Sequence, residues 1–384
     1  MEPHGTTTDP YRIFFPLGII LGACGVSIWP LYYYGVIEGY SGRAHAFVQT
    51  DGFLYAFVAG FLLTAIPRFT GTRAPSLAIQ YLLAAFIATS AVAAEFQYFA
   101  IGLPSFLVAH CILVILAVRR FARRQQDPPE TFSLVGIGLF SGMLGALINT
   151  GISWNLIQPS WDLLGRRLLT EGMVLLLVLG VGGFLGPRLL GFAQLPQFGN
   201  IGAAATVPKD RRLQYGIAGL ALLLALISEY GFGLSGMAYL RAAVITGVIA
   251  STIHPWRFPQ VRTTLAWCVW TAHWCVILAA WLIAIAPRYR IDLLHVLFIG
   301  GFTLLIFAIG TRVTLSHGGH NLAAERKSWP LRIGLTTGLI AMLARAGAPF
   351  SGTLYFAHLA WAGILWIGGI LLWGIYLIRL ISLT

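Results

Sequence analysis

Charged residues are scarce in this chain. Asp, Glu, Lys and Arg together make up 10% of its 384 residues, whereas 58% are hydrophobic. Soluble domains carry about 25% charged residues, so this chain has too few to cover a water-facing surface. Apolar runs recur along the whole chain, and their length of about 20 residues is the length that crosses a bilayer. The composition therefore excludes an ordinary soluble domain and predicts an integral membrane protein.

Signatures of soluble function are also missing. The sequence contains no P-loop, no strand-preceded dinucleotide fingerprint and no protease-like spacing. Its net charge of +12 comes from basic residues between the apolar runs, where membrane topology and lipid headgroups explain it without a nucleic-acid partner. No C-x-x-C occurs, and the four cysteines are predicted to be packing residues inside apolar runs, namely Cys24, Cys111, Cys268 and Cys275.

The apolar runs predict an all-α, polytopic protein of twelve transmembrane helices. They leave no room for a separate soluble domain, so residues 1–384 are predicted to form one transmembrane domain. The N-terminus lacks a basic region before the first run, and the first helix is therefore expected to be retained. The predicted spans are 13–36, 48–66, 76–93, 96–118, 131–152, 168–190, 214–234, 236–253, 264–286, 291–312, 331–349 and 353–382.

The distribution of basic residues predicts the orientation. With twelve helices and both termini in the cytoplasm, 18 of the 25 Lys and Arg residues fall on the cytoplasmic side and 7 on the outer side. Cytoplasmic loops are the ones that accumulate Lys and Arg. The alternation therefore favours an even number of helices with both termini inside.

A threefold internal repeat is a further prediction. Gly-Phe pairs at Gly60, Gly183 and Gly301 are spaced by 123 and 118 residues, which is four predicted helices each time. Three groups of four helices is the architecture of the main subunit of haem–copper oxidases. The alternative is that glycines merely let helices approach closely, as they commonly do in membranes.

Histidines in membrane spans are candidates for function, because ionisable groups are costly there. His45 and His295 lie near the predicted outer starts of the second and tenth helices. Two such imidazoles on different helices could clamp a haem iron from both faces. Counting from the inner arginines leaves a depth mismatch of roughly 9 Å between them. The alternative is that each ring hydrogen-bonds to a neighbouring helix.

Other polar residues suggest weaker sites. Arg43, Arg288 and Arg290 neighbour the two histidines and are candidates for binding haem propionates, or are ordinary interfacial arginines. His317 and His320, separated by two glycines, form either a copper site or a solvated loop. Carboxylates near the spans are few, so no proton-transfer chain is predicted; those considered are Glu95, Glu171 and Glu229.

Several segments together resemble the NnrS family of membrane proteins. They are DPYRIFFPLG (9–18), AHAFVQTDGFLYAFVAGFLLTAIPRFTG (44–71), GGFLGPRLLGF (182–192) and HVLFIGGFTLLIFAIGTRVTLSHGGHNL (295–322). The resemblance spans nearly the whole chain, in order. It implies twelve helices in a bacterial cytoplasmic membrane, bound haem b, copper, and a part in the nitric oxide response of denitrifying and related bacteria.

The resemblance carries over to particular residues. His45 matches the first histidine of the family's H-x-H-E-M segment, but Phe47 and Val48 replace its second histidine and its glutamate. These replacements argue against copper more than against haem. The other matches are His295 at the start of the tenth helix and Arg312 and His317 in the family's R-V-S-L-G-H-T-G-R ending, where His320 replaces the last arginine.

The oxidase comparison is limited by the histidines. An oxidase needs histidines on the sixth and seventh helices and a second one on the tenth, and this sequence lacks them. A binuclear oxygen- or NO-reducing centre is therefore not expected. A single haem between the second and tenth helices remains the prediction.

Three functions stay open from the sequence. The first is a haem protein of nitric oxide tolerance that binds NO, senses it or passes electrons; whether it is an enzyme is left open. If both histidines bind iron, NO must displace one of them. The second is a twelve-helix secondary transporter without haem, to which a longer central loop (188–213) is also suited. The third is a role in assembling a respiratory complex.

Overall fold

A computed structural model describes residues 9–193 and 209–383. This part of the chain is helical, without strands, and its twelve helices confirm the predicted fold class. Most of the predicted central loop lies outside the described residues. The helices are α1 Tyr11–Tyr33, α2 Gly42–Thr70, α3 Leu77–Glu95, α4 Phe99–Ala122, α5 Phe132–Ser153, α6 Pro159–Leu189, α7 Lys209–Phe232, α8 Met237–Thr252, α9 Thr264–Ile285, α10 Pro287–His317, α11 Trp329–Gly347 and α12 Tyr355–Ser382.

Eleven of the twelve helices are long and apolar enough to cross a membrane. The exception is α8, which has 16 residues. The protein is therefore a multi-pass membrane protein, as predicted. The helices α2, α6 and α10 extend beyond their predicted spans, and this extension decides how deep their polar residues lie.

The helices α2, α6 and α10 share an uncommon local pattern. Each has a six-residue α-helical segment, then a π-helical segment, and then a longer α-helical segment. The π-helical segments are Val48–Leu54, Leu168–Val174 and Val296–Thr303. Well under 1% of residues in soluble proteins are π-helical, and such turns occur frequently at functional sites. Residues in these π-helical segments are therefore candidates for a functional site.

The threefold repeat stays a prediction. The three glycines on which it was based do not occupy equivalent places, because Gly301 lies in a π-helical segment whereas Gly60 and Gly183 lie in the α-helical segments that follow. The glycines in the π-helical segments of α2 and α6 are Gly52 and Gly172 instead.

Close helix packing explains the glycines in these segments. A Cβ added at Gly52 would lie 3.0 Å from the Cβ of Ala91 on α3, and one at Gly301 would lie 2.9 Å from Val276 on α9. At Gly172 an added Cβ would collide with the Ser141 hydroxyl of α5. Larger side chains would therefore push the neighbouring helices away from the π-helical segments.

The two described ends of the chain meet at one end of the helix bundle. Arg12 Nη1 donates a 3.1 Å hydrogen bond to the carbonyl oxygen of Ile381. We call this the proximal end, and the opposite end, where α2, α6 and α10 begin, the distal end. A chain that crosses the membrane an even number of times begins its first helix and ends its last helix on the same side, as α1 and α12 do here.

Candidate functional site at the distal end

His45 and His295 are both oriented by backbone hydrogen bonds at the distal end. His45 Nδ1 lies 2.7 Å from the carbonyl oxygen of Gly25 on α1, and His295 Nδ1 lies 2.8 Å from that of Ile291. A carbonyl only accepts, so Nδ1 carries the proton in each ring and Nε2 keeps its lone pair. No described group hydrogen-bonds to either Nε2. Both nitrogens therefore have the protonation state that a metal ligand needs.

The fold places these two histidines at the same end of the helix bundle. They lie within electrostatic range of each other, and Arg345 of α11 lies within that range of both. Each histidine also directly precedes or lies within one turn of a π-helical segment. Their role as a pair of iron ligands stays a prediction.

Arg345 was not among the predicted site residues. Its side chain is 8% exposed, and Nη1 donates a 2.5 Å hydrogen bond to Asp292 Oδ1 at the start of α10. In sequence it resembles any basic residue at a helix end, because α11 is remote from both histidines along the chain. Only the packing of α11 beside α10 places its positive charge next to the histidine pair.

The predicted propionate-binding arginines have protein partners. Arg43 Nη2 lies 3.1 Å from Asp162 Oδ1, and its guanidinium lies 4.5 Å from the ring centroid of Phe99. Arg290 Nη2 lies 2.5 Å from Glu229 Oε1. A propionate would have to compete with these carboxylates. The guanidinium of Arg288 stacks on Tyr289, 4.4 Å from its ring centroid.

Arg312 lies far from the histidine pair. It is 17 residues beyond His295 along α10, which is about 25 Å at 1.5 Å per residue. Its Nη1 donates 2.8 Å hydrogen bonds to both carboxylate oxygens of Glu325. This geometry explains Arg312 as a residue of the proximal end.

His317 and His320 both have tertiary partners at the proximal end. Arg68 Nη1 donates to His317 Nε2 at 3.0 Å, and His320 Nε2 lies 2.9 Å from the carbonyl oxygen of Leu380. Within residues 9–193 and 209–383, no group of three or more His, Cys, Asp and Glu side chains is arranged to hold a metal ion. The two rings connect α10 to α2 and α12, and copper at this position stays a prediction.

A buried network of charges lies beside the distal site, and the sequence indicated only its acids. Arg241 of α8 contacts both Glu171 (2.5 Å) and Glu229 (2.8 Å), and its side chain is 6% exposed. The hydroxyl of Tyr230 donates to Glu171 at 3.0 Å. Arg290, described above, is the second partner of Glu229. These contacts join α6, α7, α8 and α10 by charge-assisted hydrogen bonds.

A second buried polar group, around Asp51, was missed by sequence analysis. Asp51 is fully buried in the π-helical segment of α2, and neither carboxylate oxygen has a hydrogen-bond partner. One turn further along α2, the hydroxyl of Tyr55 lies 3.0 Å from His110 Nδ1. His110 Nε2 in turn lies 2.9 Å from the carbonyl oxygen of Leu139. Asp51 lies within the predicted second span (48–66) but was not among the acids considered, and the helix begins six residues before that span.

A repeated tripeptide is the signal that could have identified these acids together. Thr50-Asp51-Gly52 and Thr170-Glu171-Gly172 stand 120 residues apart. Both lie in π-helical segments. The spacing is four helices, as in the predicted repeat, but at a register different from that of the Gly-Phe pairs.

A partly open apolar cavity of about 90 Å³ lies between α1, α2, α6 and α10. Its lining includes Phe57, Phe61, Val178, Val181, Phe302 and Ile306. His273 of α9 approaches it at Gly182, where an added Cβ would lie 2.9 Å from His273 Nε2. Among the described residues, that buried nitrogen has no hydrogen-bond partner. An apolar lining of this kind disfavours ions.

Comparison with known protein families agrees with this architecture. The family model described as NnrS protein matches residues 6–382. The chain belongs to the NnrS family. It is therefore a membrane protein of the family associated with the nitric oxide response. No curated protein matches the chain closely enough to indicate a nearer relative.

The distal residues of this NnrS protein fit a haem in part. The two histidines have the tautomer that iron ligation requires and lie at the same end of the bundle, and Arg345 supplies a nearby positive charge. Of the predicted arginines, Arg43 and Arg290 are already paired with carboxylates. The donor set thus fits the iron ligands better than it fits the predicted propionate partners.

Proposed function

We propose that this protein holds one haem b between His45 and His295 at its distal end and acts with it in the nitric oxide response. The observation that carries the proposal is that both rings have the same tautomer at the same end of the bundle. In each ring Nδ1 donates to a backbone carbonyl, and Nε2 keeps its lone pair. A bound haem supplies a redox-active iron that also has affinity for NO.

The chain's own residues would position the ligands. The Gly25 and Ile291 carbonyls fix the tautomer and the direction of each imidazole, and such outer contacts raise ligand basicity. Arg345, with Asp292 as its partner, would offset negative charge that enters the site. Membership of the NnrS family supports the link to nitric oxide. The apolar cavity supports access for a small uncharged gas.

The proposal extends to orientation. The charge alternation of the sequence supports a bacterial cytoplasmic membrane with the proximal end in the cytoplasm. The histidine pair would then lie near the outer surface. Cysteine labelling of the loops from outside intact cells tests this orientation, and labelling at the proximal rather than the distal end would contradict it.

The test of the haem site is a visible spectrum of the detergent-purified protein. Oxidised and dithionite-reduced samples from haem-sufficient cells should show a Soret band and sharp reduced bands, which change on adding NO. Replacing either His45 or His295 with Ala should remove most of the bound haem, because each ring supplies one of the two iron ligands.

His358 provides a matched control. It also lies at the distal end, and its Nδ1 contacts a backbone carbonyl, that of Ala344, at 3.2 Å. His358→Ala should keep its haem. A wild-type protein without colour would overturn the haem proposal and bring forward the transporter alternative. Haem retained in both single variants would overturn the ligand assignment alone.

A further inference from the structure

Asp51 is a buried carboxyl group in the π-helical segment of α2. It lies nine residues beyond the first residue of α2, is 0% exposed, and neither oxygen accepts a hydrogen bond from any residue that the structure describes. An isolated ionised carboxylate is strongly disfavoured in a low-dielectric interior and instead takes up a proton. A neutral carboxylic acid is the form that this environment tolerates best.

The elements packed against Asp51 supply no charge to balance an ionised form. They are α1, α3 and the π-helical segment of α6, and none of their ionisable groups hydrogen-bonds or ion-pairs with its carboxyl. Those groups are Tyr11, Arg12, Cys24, Tyr32 and Tyr33 on α1, Tyr81 and Glu95 on α3, and Glu171 on α6.

One ionisable side chain lies one helical turn from Asp51. Tyr55 is four residues further along α2, on the same face of the helix, and is itself fully buried. Because the carbonyl of Leu139 only accepts, His110 Nε2 carries the proton and Nδ1 accepts from the Tyr55 hydroxyl. The Tyr55 oxygen keeps a lone pair, and so it can accept a further proton donor. Asp51, Tyr55 and His110 thus form a line of proton-carrying groups from α2 to α4.

We infer that Asp51 is a proton-binding site within the membrane, a carboxylic acid that exchanges its proton by way of Tyr55 and His110. At rest the Asp51 carboxyl has no hydrogen bond to Tyr55, so exchange requires the two groups to come into contact. The Asp51 O–H bond then breaks and its proton passes to the Tyr55 oxygen, while the hydroxyl proton of Tyr55 moves to His110 Nδ1. A carboxylate and an imidazolium result, and the reverse transfer restores both neutral groups. No oxidant or reductant takes part. The inference does not depend on haem.

Dicyclohexylcarbodiimide, an apolar reagent that attacks protonated carboxyls, tests the proton assignment. In purified protein, peptide mass spectrometry should find the adduct at Asp51, with less labelling as the pH rises. Glu171 is the internal control, because its arginine partners keep it ionised and should leave it unlabelled. Protection of Asp51 by Na⁺ at constant pH would assign the group to a metal cation and overturn the inference.

An infrared measurement covers the case in which the reagent does not reach Asp51. The wild-type protein should show the carbonyl stretch of a protonated carboxyl, and Asp51→Asn should lose it. A wild-type spectrum without that band would overturn the inference. After transfer to D₂O, Tyr55→Phe should slow the isotope shift of the band several-fold, whereas Tyr230→Phe should not. Equal exchange rates in the wild type and Tyr55→Phe would exclude the path through Tyr55.

Discussion

The π-helical segments of α2 and α6 contain the same local motif in opposite surroundings. Thr50-Asp51-Gly52 and Thr170-Glu171-Gly172 each place a buried acid next to a glycine at which another helix packs closely. Around Glu171 stand Arg241, Arg167 and the Tyr230 hydroxyl. Around Asp51 there is no partner in the part of the chain that the structure describes.

The tripeptide motif therefore determines where the acid lies, but the surrounding residues determine whether it is charged. A buried carboxylate stays ionised where opposite charges and hydrogen bonds replace water, and it takes up a proton where they do not. The arginine that stabilises the ionised form of Glu171 is Arg241, which lies on α8, about 70 residues away in sequence.

The largest expected effect is the loss of Arg241. Replacing it with Met keeps an unbranched apolar stem but removes the cation between Glu171 and Glu229, which leaves two buried charges poorly compensated. The free energy of unfolding should fall by about 3–5 kcal/mol. Thermal unfolding in detergent, followed by circular dichroism, measures the change.

Arg166→Gln is the control for Arg241→Met. Arg166 pairs with Asp162 at 2.7 Å, but the two side chains are 34% and 23% exposed. Its loss should cost at most about 1 kcal/mol. If both variants lose equal stability, burial is not what makes the Arg241 network important.

The second prediction compares the two acids directly. Glu171→Gln removes the negative charge that holds Arg241 and should cost about 3 kcal/mol. Asp51→Asn replaces an acid that has no protein partner with a neutral group of the same shape, and it should change stability by less than about 1 kcal/mol. The same unfolding assay measures both. A loss at Asp51 as large as that at Glu171 would show that Asp51 is ionised and paired.

The smallest expected difference is between the two tyrosines. The Tyr230 hydroxyl donates to a charged carboxylate, and Tyr230→Phe should cost about 1.5–3 kcal/mol. The Tyr55 hydroxyl donates to a neutral imidazole, and Tyr55→Phe should cost about 1 kcal/mol. The comparison is made by unfolding both variants under one condition. A reversed order would contradict the assigned charge states.

Part of the candidate site was predicted from the sequence, because an ionisable group in a span of apolar residues is a candidate for function. His45 and His295 were identified in this way together with the helix ends at which they lie, and their role as iron ligands stays a prediction. Arg345 and Arg241 were not recognised. The residues around each of them in sequence give no indication of a contact with α10 or α6. The ion pairs Arg345–Asp292 and Arg241–Glu171 join helices that are far apart in the chain.

Asp51 shows how an acid inside a predicted span can be overlooked. The predicted span 48–66 contains it three residues from its start, whereas the helix begins at Gly42 because polar residues precede the apolar run. In the structure, Arg43 at the start of α2 is satisfied by Asp162 of α6, and the helix continues outward from the apolar run. Tertiary partners for polar residues thus lengthen a helix beyond what hydropathy predicts.

The sequence by itself determined that this is a membrane protein of twelve helices, because apolar runs of bilayer length leave the chain no other way to satisfy its backbone. It also determined the family, through motifs that run in order along the chain. The packing of the helices determines which ionisable groups lie together. It pairs Glu171 with Arg241, leaves Asp51 without a partner among the described residues, and places His45 and His295 at one end of the bundle. Packing has this effect because the charge of an ionisable group inside a membrane depends on its neighbours on other helices.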